Sequence, residues 1–213
     1  PESEVIQFID ENQSFLEQNK LSFFEMSVGM AFDYFAKERV DIAIIETGMG
    51  GRLDSTNILT PELSVITNIG LDHTAFLGEN LTEIAGEKAG IIKENVPVLI
   101  GEKHQETKKV FIEASKEKNA AIYFAEDFKF EKYHTDLKGD YQVKNMQTVL
   151  ACVKILRENK WILTDEAITK ALITVKLSTG LQGRWEVLRG KPKVICDTAH
   201  NAEGLQIVLK QLQ

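Results

Sequence analysis

The sequence predicts an α/β fold built on a mainly parallel sheet flanked by helices. Three observations carry that expectation. Val40–Ile45, Leu63–Thr67, Val96–Ile100 and Ala121–Phe124 are short, nearly continuous apolar runs, the form of strands buried on both faces of a parallel sheet. Stretches with apolar residues at a 3.6-residue period alternate with most of these runs, and alternating strands and helices imply right-handed crossovers. The chain's 213 residues, 43% hydrophobic and 27% charged, can form a core.

Taken in order, Val5, Ile6, Phe8, Ile9, Phe15 and Leu16 predict a first amphipathic helix ending near Asn19-Lys20. Ser22 followed by Glu25 is a capping-box pattern, and Phe24, Val28, Ala31, Phe32 and Phe35 make the stripe of a second helix. After the Val40–Ile45 strand comes a glycine loop. The strand at 63–67 is followed by a helix over roughly 81–93, and the strand at 96–100 by a helix over 105–118 that leads to the strand at 121–124. Between Asp127 and Asp136 polar and aromatic residues alternate, as in an exposed antiparallel ribbon. Helices follow at about 141–159 and 165–174. Beyond Gly190 the strand Val194-Ile195-Cys196 runs into a final helix, a single βα unit with no following strand.

Charge and cysteine content narrow the function classes. The 25 Lys+Arg against 32 Asp+Glu leave a net charge of −7, which argues against charge-driven binding to nucleic acid or anionic membranes. No apolar run approaches the ~20 residues of a membrane span, and Pro1-Glu2-Ser3-Glu4 lacks a signal-peptide pattern. Cys152 and Cys196 lack metal-type spacing and read as free thiols of a reducing compartment.

In open α/β sheets ligands bind beyond the carboxyl ends of strands, and this ranks the polar residues. Glu46 ends its strand and opens Thr47-Gly48-Met49-Gly50-Gly51-Arg52-Leu53-Asp54, a loop that brings backbone N–H groups close to an anion or substrate. Asp72-His73 follows the next strand, so Glu46 and His73 could converge on one cation. Such mixed ligation suits Mg²⁺ or Mn²⁺ better than a closed zinc site. On the 81–93 helix, Lys88 falls near the centre of the apolar face formed by Leu81, Ile84, Ala85, Ala89 and Ile92. It is either a snorkelling lysine or a desolvated amine open to carbamylation by CO₂, which would turn a cation into a metal-binding anion. Arg184 could hold phosphate, and Asp197 a ribose hydroxyl or adenine, unless each is only a surface ion-pair partner. Asn145 opens a helix and by itself says nothing.

Together these residues resemble one family, the folylpolyglutamate synthase/dihydrofolate synthase enzymes, ATP-dependent amide ligases related to the Mur ligases. The resemblance lies in Leu21-Ser22-Phe23-Phe24-Glu25, the stretch Glu46–Asn57, Thr67–His73, Leu77-Gly78, Ile84–Lys93, Gly183-Arg184-Trp185-Glu186 and Asp197–Asn201, all in family order. It implies that Glu46 and His73 bind Mg²⁺, with Mn²⁺ as a substitute, and that Lys88 is carbamylated. It further implies that Asn145, Arg184 and Asp197 contact ATP, that His200 lies beside the reacting groups, and that Ser22, Phe24 and Asp54 hold the pterin-bearing substrate. The implied reaction activates a carboxylate as an acyl phosphate, which the amino group of L-glutamate attacks. The substrates are then dihydropteroate or a reduced folate, L-glutamate and ATP, in a cytoplasmic enzyme with neither nucleic acid nor membrane as partner.

The family's Gly-Lys-Ser phosphate loop has no counterpart here, since Gly190-Lys191 is followed by Pro192. The expectation is a central ATP-binding domain over 1–185, truncated at its start, then a linker and the first βα unit of a glutamate-ligase domain over 186–213. Such a chain is expected to be an internal part of a longer, monomeric ligase, inactive alone and able to exchange residues 191–213 with a neighbouring copy. Two other readings stay open: a Mur-type ligase acting on a nucleotide-peptide, and a non-catalytic binding module on the same sheet.

Overall fold

A computed structural model describes residues 1–130 and 133–213. The chain divides into two compact units, Pro1–Thr60 and Pro61–Gln213. The first begins with helix α1 (Glu2–Asn19), stopped by Lys20 in the left-handed region, and helix α2 (Phe23–Glu38). The capping box is present: Glu25 N donates to Ser22 Oγ at 3.2 Å and Ser22 N to Glu25 Oε2 at 2.7 Å. Those hydrogen bonds hold the Glu25 carboxyl below its ordinary range.

The strand expected at Val40–Ile45 is absent. The segment bends at Asp41 and forms no strand, and Ile44 is 92% exposed. A strand exists only by pairing, and among the described residues the first unit contains no strand that could form a ladder with it. The unit ends in the glycine loop and a 3₁₀ turn, Ser55–Ile58.

The second unit carries the predicted parallel sheet. Strands β1 (Ser64–Ile66), β2 (Val98–Ile100) and β3 (Ile122–Phe124) lie in that order, with Ser64 opposite Val98 and Val98 opposite Ile122. Between β1 and β2 run the short helix α3 (Thr74–Leu77) and helix α4 (Leu81–Ala89); helix α5 (Gln105–Glu117) joins β2 to β3. Alternation along the strands fills both faces. Ile66, Val98, Ile100 and Phe124 pack with Ala85 and Ala89 of α4 and Phe111 of α5. Leu99 faces the other way, onto Ala151 and Ile155 of helix α6 (Gln142–Glu158). This two-sided burial is why the strands read as continuous apolar runs.

α4 is shorter than the helix expected over 81–93. Ile91 N and Ile92 N bond back to Lys88 and Ala89, three residues earlier, and the chain turns at Gly90, where helix propensity is low. Gly101, just past β2, marks a close approach: a Cβ there would stand 2.3 Å from Thr67 O and 2.8 Å from Thr148 Oγ1. Only glycine lets the ends of β1 and β2 and the α6 helix meet at this point.

Helices α7 (Asp165–Ile173) and α8 (Val175–Thr179) follow α6, and Ile168 and Leu172 form a small cluster with Leu150. The antiparallel element lies elsewhere than expected. Of the stretch 127–136, residues 131 and 132 fall outside the described residues and the others form no strand. The antiparallel pair is instead β4 (Glu186–Gly190) with β5 (Lys193–Cys196), Glu186 opposite Cys196 and an irregularity between Val187 and Arg189. The expected βα unit is present as β5 running into helix α9 (Ala202–Leu212), and the unexpected part is β4, which pairs with β5. Both cysteines are free and half-buried, and burial pushes the Cys152 thiol up to about 11.

Candidate functional site

In the second unit the loop after β1, the start of α6 and the loops around the β4–β5 hairpin meet. Asp197, directly beyond β5, is the hub. Its Oδ2 accepts from the Tyr141 hydroxyl at 2.7 Å and Trp185 N at 2.8 Å, and its Oδ1 accepts from Ala199 N at 3.0 Å. Burial opposes ionisation of Asp197, but these three donors and the nearby Arg184 guanidinium outweigh it and hold the carboxyl below its usual range. The same contact, after burial, pushes the Tyr141 phenol up to about 12.

Arg184 is pinned beside this carboxylate by a hydrogen bond from Nη1 to Thr198 Oγ1. The backbone shapes the approach. Thr198 N donates to Gly183 O at 2.9 Å, Gly183 N donates to Glu186 Oε2 at 2.7 Å, and the buried Trp185 sits at φ 46°. A bulky residue in the left-handed region is strained, and the hydrogen bonds on either side over-determine it.

The loop after β1 joins through Asn201. Asn201 caps α9 by accepting from Gly204 N at 2.8 Å, and its Nδ2 donates to Asp72 Oδ2 at 3.1 Å. Asp72 also accepts from His73 N at 2.8 Å. The Asn201 bond first, then the His73 amide, keep the Asp72 carboxyl below its ordinary range. His73 is exposed at φ 50°, and His200 Nδ1 lies 3.1 Å from Thr198 O. At the start of α6, Asn145 Nδ2 donates to Gln142 Oε1 at 3.0 Å. Lys88 is half-buried on the last turn of α4.

The residues expected to hold a pterin cluster in the first unit. Ser22 caps α2, and the Phe24 ring lies so close over Gly48 that a Cβ there would stand 2.3 Å from it. Asp54 ties the glycine loop together, accepting from Gly48 N and Met49 N at 2.9 Å each, Thr56 N at 3.0 Å and Thr56 Oγ1 at 2.5 Å. Burial raises its pKa, but the four donors hold the carboxyl below its usual range. Its role in the structure is to shape the loop on which Phe24 rests.

Asn145, Arg184, Asp197 and His200 thus fall in one neighbourhood, and Ser22, Phe24 and Asp54 in another. Glu46, exposed, and His73 belong to different units. Among the described residues no group of three or more His, Cys, Asp or Glu side chains is placed to hold a metal ion. A carboxylate and an imidazole fit Mg²⁺ or Mn²⁺ as a donor set only if water or ligand oxygens complete the shell. Sequence reasoning missed Tyr141 and Thr198, whose importance lies in contacts with residues distant in sequence, and Gln142, which pairs with Asn145 one helical turn on.

Comparison with known proteins identifies the family and the fold. The Mur ligase middle domain family matches residues 9–153. The chain is 38% identical over 208 residues to the dihydrofolate synthase/folylpolyglutamate synthase of Bacillus subtilis, covering 86% of this chain and 47% of that protein. It is 31% identical over 227 residues to the folylpolyglutamate synthase of Lacticaseibacillus casei, covering 92% of this chain and 52% of that protein. A solved FPGS-AMPPCP-folate complex superposes with a TM-score of 0.88 at 28% identity, over 100% of this chain and 59% of that one. The chain spans about half the length of the curated relatives it matches. No helix among the described residues is long and apolar enough to cross a membrane.

Proposed function

The chain belongs to the folylpolyglutamate synthase/dihydrofolate synthase family of Mur ligases, and from that premise we propose that it serves ATP-dependent ligation of L-glutamate to dihydropteroate, to reduced folates, or to both. The observation that carries the reading is the convergence of Asn145, Arg184 and Asp197 around Tyr141 beyond the ends of the strands, where open α/β sheets bind nucleotides. The solved FPGS-AMPPCP-folate complex, similar in fold, supports it.

In this reading Asp197 and Asn145 orient the nucleoside, and Arg184 offsets charge on the phosphates. A carboxylate oxygen of the pterin-bearing substrate attacks the γ-phosphorus, the bond to the ADP oxygen breaks, and ADP leaves. The glutamate nitrogen then attacks the acyl carbon, the acyl–phosphate bond breaks, and the nitrogen gives up its proton. No side-chain nucleophile is required, so the two cysteines have no part.

Glu46 in the first unit and His73 in the second are each candidate ligands for Mg²⁺, or Mn²⁺, whose chemistry is to neutralise phosphate charge. Lys88, as a carbamate, would add an anionic group, with His200 beside the reacting atoms. Ser22, Phe24 and the loop shaped by Asp54 would receive the pterin. A cytoplasmic setting belongs to the same reading.

A protein containing this chain, given ATP, L-glutamate and dihydropteroate or a reduced folate, is expected to release ADP in step with glutamate incorporation. Incorporation without ATP, or ADP release indifferent to the acceptor, would remove the reading.

A further inference from the structure

Asp197 and Asn145 are far apart in sequence, yet two neighbouring residues, Tyr141 and Gln142, each bond one of them. Asn145 Nδ2 donates to Gln142 Oε1 at 3.0 Å, and the hydroxyl of the adjoining Tyr141 donates to Asp197 Oδ2 at 2.7 Å. Gln142 is buried, 7% exposed, although it occupies the first turn of a helix. A buried amide oxygen is tolerated when it is paired, and here Oε1 accepts from Asn145.

The donor and acceptor count shows what the chain of bonds leaves available. A carboxylate offers about four lone-pair positions. At Asp197 the Tyr141 hydroxyl and two backbone amides, of Trp185 and Ala199, take three of them. Both bonds to Oδ2 come from fixed groups, so Oδ1 is the oxygen left with room to accept from a ligand. On the other side, the bond to Gln142 fixes the Asn145 amide in one orientation, leaving its carbonyl oxygen and its second N–H for a ligand.

We propose that Tyr141 is a positioning residue of the nucleotide site: its hydroxyl fixes the Asp197 carboxylate, leaving Oδ1 to accept from a ligand, on the same helix start that carries the Asn145 amide. The ligand group recognised is one that donates to a carboxylate and both donates to and accepts from an amide, as the sugar hydroxyls and base edge of a nucleoside diphosphate do. The assignment rests on reading Asp197 and Asn145 as nucleotide contacts. Tyr141 touches the ligand only through them, so its loss should act on affinity and on the state of Asp197 and not through a missing contact.

The direction follows from charge. The Tyr141 bond favours the ionised form of Asp197, so Tyr141→Phe moves the Asp197 midpoint upward, and nucleotide affinity then fails at a higher pH on the acid side than in the wild type. A packing role alone would not move that limb.

The test is a ¹³C-carboxyl NMR titration of Asp197 in the wild type and Tyr141→Phe, together with calorimetric titration of ADP into both and into Asp197→Ala. Expected are an upward midpoint in Tyr141→Phe and about a tenfold loss of ADP affinity, the scale of one hydrogen bond to a charged group. An unmoved Asp197 midpoint overturns the proposal, as does ADP affinity that falls in Asp197→Ala but is intact in Tyr141→Phe. If the midpoint moves while ADP affinity is indifferent to Asp197→Ala, the nucleotide reading fails, and with it the part given to Tyr141; the Tyr141–Asp197 link alone survives.

Discussion

Phe111→Ala is expected to lower the stability of the second unit by about 3–5 kcal/mol, a large share of the roughly 5–15 kcal/mol that holds a domain folded. Phe111 is 1% exposed and packs against Ile100 and Phe124 of the sheet and Ala85, Ala89 and Ile92 of the neighbouring segment. Its helix presents one face: Thr107, Phe111 and Ser115, spaced four apart, are each 1% exposed. The two hydroxyls turn back onto backbone carbonyls, Ser115 Oγ onto Ile112 O at 2.9 Å, so Phe111 is the large apolar side chain of α5 that is fully buried there, with Val110 and Ile112 packing beside it. Removing the ring leaves a cavity between two helices and a sheet that cannot close over it. Urea denaturation followed by circular dichroism measures the loss, with Lys109→Ala on the exposed side of α5 as the control. A Phe111→Ala loss no larger than the control's would mean that α5 does not anchor the sheet.

Asp197→Ala is expected to do two things at once. It strips the acceptor from the Tyr141 hydroxyl and the Trp185 amide, at a cost of about 1–3 kcal/mol near neutral pH for the groups left unpaired. It also removes nucleotide binding. The stability effect has a defined pH dependence. The folded carboxyl titrates below its unfolded value near 3.9, so its contribution is complete above that pH and disappears as the pH falls through the lower folded value. Wild type and Asp197→Ala should therefore differ at pH 7 and converge in acid. Asp54 and Asp72 are depressed in the same direction and add to the acid sensitivity of the wild type. Thermal unfolding from pH 7 down to pH 3 checks the convergence; a difference that widens in acid would contradict the assignment of the donors to the ionised form.

How much of this was legible in the sequence depended on whether the signal was local. α2 could be read from Ser22 and Glu25, because a capping box is complete within four residues. β1, β2 and β3 could be read because burial on both faces leaves an unbroken apolar run. Val40–Ile45 has the same composition and was misread, since pairing is decided by a partner that composition does not contain. β4 was missed for the converse reason: Glu186 and Arg189 look like loop residues, and only the partner β5 makes them a strand.

The site divides the same way. Motifs pointed to Asp197 and Arg184, only the family resemblance pointed to Asn145, and the structure sets the three in one neighbourhood. Tyr141 follows Gly139-Asp140 without any pattern of its own, and its meaning appears only when its hydroxyl is found on Asp197.

The central claim is that nucleotide binds where the start of α6 meets the loops around β4 and β5. Amide chemical-shift mapping of the ¹⁵N-labelled chain with Mg²⁺ and ADP tests it most directly. The account predicts saturable shifts concentrated at Tyr141–Asn145, Arg184–Trp185 and Asp197–Asn201, abolished in Asp197→Ala. Saturating ADP that leaves those amides unmoved, or moves a different surface and is indifferent to Asp197→Ala, would contradict it.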